Sequence, residues 1–138
     1  MKTLSIFLRV LVAIILGQTL YFKFTAAPES VYIFETVGME PWGRIGIGIL
    51  EAIAAVLILI RRTVVYGALL TFGIIGAAIF KHLTILGIEV PGHDGQMDGG
   101  LLFLLALITF ICAGLTLFHH RADIPFVKAR HREDEHVG

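Results

Sequence analysis

At 138 residues, 57% of them hydrophobic and 16% charged, and with a mean hydropathy of +0.85, the chain carries more apolar surface than a soluble domain of its size can bury. Its formal net charge is zero, so no basic field is available for nucleic acid and no nucleic-acid partner is expected. A single cysteine, Cys112, excludes an internal disulfide and a CxxC redox pair.

Used as boundaries, the charges separate four apolar runs at about 4–22, 43–60, 63–86 and 99–118. The first follows Lys2 and carries Arg9, which is expected to snorkel towards headgroups. A charged start before an apolar core also fits a signal peptide, but Gln18-Thr19-Leu20 offers no small-residue cleavage site. Retention as a first membrane helix is the expectation. The second run carries Glu51 well inside it. The third and fourth contain Thr63 to Phe80 and Leu101 to Phe118, each eighteen residues without a charge, the length that crosses about 30 Å of hydrocarbon. The predicted fold is therefore all-α, an integral membrane four-helix bundle running up-down-up-down over residues 1–120. A polar tail, 121–138, follows and receives no function.

Eight of the eleven lysines and arginines fall on one side of such a bundle and three, Lys23, Arg44 and Lys81, on the other. The positive-inside rule then predicts both termini and the Arg61-Arg62 turn to be cytoplasmic, with the loops 23–42 and 87–98 outside. Those loops hold Glu29, Glu35, Glu40, Glu89, Asp94 and Asp98. Tyr21, Tyr32 and Trp42 stand where an outer aromatic belt belongs.

Ionisable groups are costly inside a bilayer and normally face the bundle interior or a cavity. Glu51 lies seven residues past Arg44, or ~10 Å deep, and Gln18 five residues before Lys23, or ~7 Å deep. Lys81 and His82 end the third helix at the same level. Gly73, Ala77 and Lys81 form a small-residue stripe at spacing four, and Gly48, Ala54 and Ala55 surround Glu51, so both charges are predicted to point inward. Gln18 is offset by ~100° from Ala13 and Gly17. Two arrangements are open: a Glu51–Lys81 ion pair that fixes helix register, or an outer-leaflet polar pocket of Gln18, Lys23, Glu51, Lys81 and His82 that binds the head of a quinone or lipid. A metal site of His82, His93, Asp94 and Asp98 is a weaker alternative. The spacing matches no metal motif, while Asp98 before Gly99 reads as a helix N-cap and Asp94 as a turn former. Cys112 reads as an inert core thiol.

The segment GQTLYFKF ending the first helix, GILEAIAAVLILIRRT in the second and GALLTFGIIGAAIFKH in the third resemble the DoxX and DoxX-like membrane proteins over residues 4–120. That resemblance implies a four-helix bundle in the bacterial cytoplasmic (inner) membrane, associated with quinone- or thiol-linked redox systems. Eukaryotic relatives include receptor-assembly chaperones, which implies a non-enzymatic alternative. The chain departs from a self-sufficient redox enzyme, since it has no cysteine pair, no haem-type histidine pair and no nucleotide motif. No catalytic residue, intrinsic cofactor or metal is expected. The first expectation is a non-catalytic or accessory subunit of a membrane redox system, with the lipid bilayer, a redox partner protein or a second copy as partners. The alternative is an interaction or assembly protein whose buried polar residues are structural. Transport is weaker, because four helices enclose only a narrow path.

Overall fold

The computed structural model describes residues 2–92, 95–123, 132, 133 and 135. In chain order it contains α1 (Lys2–Phe24), α2 (Pro28–Thr36), α3 (Trp42–Leu59), α4 (Val64–Lys81) continued by a π-helical turn (His82–Leu86), α5 (Leu101–His119) and a 3-10 turn (Arg121–Asp123). Four helices are long and apolar enough to cross a membrane: α1, α3, α4 with its π turn, and α5. Their bounds lie within two residues of the runs delimited by charge. The polar tail beyond Asp123 lies almost wholly outside the described residues.

The four long helices pack as a ring in which α1 and α4 each contact both α3 and α5. Leu8, Val12 and Leu16 of α1, Ala54 and Ile58 of α3, Ala68 and Ile75 of α4 and Cys112 of α5 form the core. These residues recur at three- and four-residue spacing, which places them on one stripe of each helix. The outer surface is as apolar as the inside. Phe7, Ile14, Phe80, Ile111 and Phe118 are all more than half exposed, a coat suited to hydrocarbon rather than water. Among the described residues the chain is an all-helical membrane bundle of four spans.

Two features depart from the sequence reading. On α4 the buried stripe is Val64, Val65, Gly67, Ala68, Thr71 and Ile75, whereas Gly73 is exposed with open space around it. The Gly73-Ala77-Lys81 stripe is thus not the packed face; the close approach of α3 and α4 is at Gly67. Arg9 has protein acceptors that the sequence reading did not name. Its Nε and Nη2 donate 2.7 Å bonds to the carbonyls of Ile58 and Leu59, and the Thr63 hydroxyl donates to the Leu57 carbonyl at 2.8 Å. Together they satisfy carbonyls at the end of α3 that its own helix leaves unpaired. A guanidinium is tolerated in this apolar stretch because those acceptors are fixed beside it.

Candidate functional site

The connections 25–41 and 87–100 lie at one end of the bundle, termed here the loop end. The α3–α4 turn and the tip of α5 lie at the other, the terminal end. At the loop end, a cavity of about 280 Å³ opens between α1, α3, α4 and α5 under α2.

Its walls follow from helix periodicity. The buried face of α1 runs through Leu8, Val12 and Leu16 and reaches Thr19 and Lys23 three and seven residues later, so both side chains enter the cavity. Gln18, one residue from Thr19, is exposed and does not line this cavity. On α3 the face Gly48, Glu51, Ala54 and Ile58 is buried, and Glu51 is only 3% exposed. From α4, Ala78, Lys81 and His82 complete the wall, and below them Leu105, Ala106 and Thr109 of α5 extend it with a largely apolar surface.

The charges are arranged unevenly. Glu51 Oε2 lies 3.1 Å from Lys23 Nζ and accepts a bond from the Thr19 hydroxyl at 3.1 Å. The predicted Glu51–Lys81 pair is therefore corrected: Glu51 is paired across the α1–α3 contact, where Lys23 reaches it from the last turn of α1. Lys81 is half-buried, and its ammonium has no hydrogen bond or ion pair among the described residues. Two ammonium groups and one carboxylate line the cavity, leaving one cation uncompensated.

Local structure fixes His82 beside Lys81. The π turn closes with the Gly87 amide on the His82 carbonyl at 2.8 Å. The imidazole Nδ1 sits 2.8 Å from the Gly87 carbonyl, a contact that requires Nδ1 to carry the proton. The ring meets Phe103 edge-on at 5.6 Å. A π turn adds one residue to the helix and is a recurrent device at functional sites.

The roof went unpredicted. Pro28 at the first helical position and Glu29 in the first turn favour a helix start in α2. Ser30, Ile33 and Phe34, at i, i+3 and i+4, then share the face that lines the cavity. Arg44 supports the same corner. It is buried, its Nε donates to both Glu40 oxygens at 2.9 and 3.0 Å, and its Nη1 donates to the Lys23 carbonyl at the end of α1. The Glu40/Arg44 spacing of four was the available signal for this contact.

Asp98 anchors the second connection. Its carboxylate accepts the amides of Gly100 at 2.9 Å, Val90 at 3.1 Å and Leu102 at 3.2 Å, so it caps α5 and pins the loop at once. Burial opposes its charge. The amides of Gly100, Val90 and Leu102 and the nearby His82 outweigh that penalty and hold the carboxyl below the usual carboxylate range. A depressed folded-state value means that the stabilisation is present above the unfolded value of about 3.9 and is lost as pH falls through the folded one. Asp98→Asn should thus melt below the parent protein at neutral pH, with the gap closing below about pH 4. A gap that stays constant in melts across that range would contradict this role.

Among the described residues no three His, Cys, Asp or Glu side chains gather as metal ligands. His93 and Asp94 of the weaker metal alternative lie outside the described residues. Of the five residues predicted as a pocket, Lys23, Glu51, Lys81 and His82 share the cavity, and Gln18 does not. Compared with protein-family models, curated proteins and solved structures, the chain has no match.

Proposed function

We propose that this protein is a non-catalytic membrane subunit that holds one amphipathic molecule in the loop-end cavity, its acceptor-bearing head on the Lys81 ammonium. The observation that carries this reading is the unpartnered Lys81 ammonium. Every other charge at the cavity has a protein partner, and a lone ammonium in a low-dielectric site favours an oxygen acceptor. The cavity is slightly below the ~300–1,000 Å³ range of small-molecule sites, enough for a ring-sized head with its tail leaving along the apolar wall. A quinone has that shape and carries acceptor carbonyls. This choice agrees with the DoxX-like resemblance, which points to an accessory role in a quinone- or thiol-linked redox system of the bacterial cytoplasmic membrane, with a redox protein or a second copy as partner. The distribution of lysine and arginine supports an outer-leaflet position for the cavity.

A second reading, an assembly protein without a ligand, draws on the Lys23–Glu51 and Arg44–Glu40 pairs, which staple the bundle whether or not a molecule is bound. Equilibrium binding of decylubiquinone in detergent separates the two. Lys81→Met should weaken binding by at least tenfold, since a hydrogen bond to a charged group contributes about 1.5–3 kcal/mol, while the melting temperature stays near that of the parent. Absence of saturable binding, or equal affinity in the variant, would remove the ligand reading.

A further inference from the structure

A second recess, at the terminal end, has a different character. It is a groove of about 690 Å³ into which three separate elements bring basic side chains: Lys2 and Arg9 from α1, Arg61 from the α3–α4 turn, and His119 and His120 from the end of α5. No acidic side chain among the described residues lines it. Ser5 Oγ lies 3.1 Å from His120 Nε2, which ties the end of α5 to α1 and holds the groove's two sides together.

Three observations specify an occupant. First, among the described residues Lys2, Arg9 and Arg61 are gathered with no acidic side chain in the groove, and like charges brought together at the edge of a low-dielectric bundle raise one another's cost unless an anion compensates them. Second, Arg9 is fixed in place by its Nε and Nη2 bonds to Ile58 and Leu59. Its Nη1 has no protein acceptor among the described residues, so a preoriented donor remains. Third, the remaining wall is apolar and outward-facing, with Ile6, Val10 and Leu59 being 55%, 42% and 49% exposed. A soluble anion would gain nothing from that wall, whereas a molecule with an acyl chain would. The groove also lies at the ends of the spans, and lipid phosphates lie just beyond the hydrocarbon that such spans cross.

From this juxtaposition we infer that the terminal-end groove is a binding site for an anionic phospholipid, the phosphate on Arg9, Arg61 and Lys2 and an acyl chain along Ile6, Val10 and Leu59. The site is independent of the loop-end cavity. Arg61 and Lys2 add positive charge, while the Arg9 guanidinium, fixed by its two carbonyl bonds, sets the register of the phosphate.

The test uses the full chain in nanodiscs of phosphatidylcholine alone, of phosphatidylcholine with phosphatidylglycerol, and of phosphatidylcholine with inorganic phosphate in the buffer. Phosphatidylglycerol should raise the melting temperature by several degrees, and the Lys2→Gln/Arg61→Gln double variant should lose most of that rise. Arg62→Gln, one residue outside the groove, should keep it. No rise in the parent protein would overturn the inference. So would an equal loss in Arg62→Gln, which would mean diffuse surface attraction, or an equal rise with inorganic phosphate, which would mean a soluble-anion site.

Discussion

Lys23→Met is expected to destabilise the bundle by about 3 kcal/mol, the lower end of the roughly 3–5 kcal/mol lost when one member of a buried ion pair is removed. The cause is the carboxylate left behind. The Glu51 side chain is 4% exposed and the Lys23 side chain 14%, so neither charge is screened by solvent. The expectation lies at the lower end because the Thr19 hydroxyl still reaches Glu51 and because unfolded helices find other partners within lipid. Adding Glu51→Gln should recover most of the loss, since the neutral amide no longer needs a counter-ion. Lys81→Met should barely change the melting temperature, because its ammonium has no partner to lose. Melting of the three variants in one detergent checks the scheme. An additive Lys23/Glu51 cycle, or a larger loss from Lys81→Met than from Lys23→Met, would show that Glu51 is held by the wrong lysine in this account.

Gly67→Ala is expected to cost about 3 kcal/mol, the upper end of ordinary overpacking. A Cβ at this position overlaps the Ile58 amide nitrogen and lies 2.7 Å from Ile58 Cα and 2.8 Å from the Leu57 carbonyl carbon. Those are backbone atoms, so no side chain can swing aside. The short α3–α4 turn and the Arg9 bonds to Ile58 and Leu59 leave α3 little freedom to retreat. Gly73→Ala provides the contrast, because nothing lies within 4 Å of its added carbon and alanine favours the helix by ~0.5–1 kcal/mol. Thermal melts should separate the two by well over ten-fold in the folding equilibrium. Equal melting temperatures would place the helix crossing elsewhere.

The contrast between these glycines shows what the sequence could and could not reveal. Span positions were legible because charge-free runs of eighteen residues have few alternatives to crossing a bilayer. Depth was legible too: counting residues from Lys23, Arg44 and Gly87 places Gln18, Glu51, Lys81 and His82 in one layer. Rotation was not. One residue turns a helix by ~100°, which separates the exposed Gln18 from the cavity-lining Thr19. Small residues at spacing four occur on lipid-facing as well as packed surfaces, so Gly73 misdirected the reading and Gly67 carried the helix contact, although Ala77 and Lys81 do line the cavity. Equal depth also could not decide which lysine pairs with Glu51, because α3 borders both α1 and α4. Polar composition in the first loop hid α2, whose signal was Pro28 followed by Ser30, Ile33 and Phe34 on one face.

Whether the loop-end cavity holds an amphipathic molecule is read out by mass spectrometry of the small molecules retained after purification in mild detergent. Ala78 lines the cavity on α4, so Ala78→Phe should fill the space while Lys23, Glu51 and Arg44 keep the bundle stapled. The account predicts one quinone- or lipid-like species near stoichiometric amount in the parent protein and its depletion in an Ala78→Phe protein that still melts cooperatively. An empty parent protein, or an equal amount of the same species in both, would contradict it.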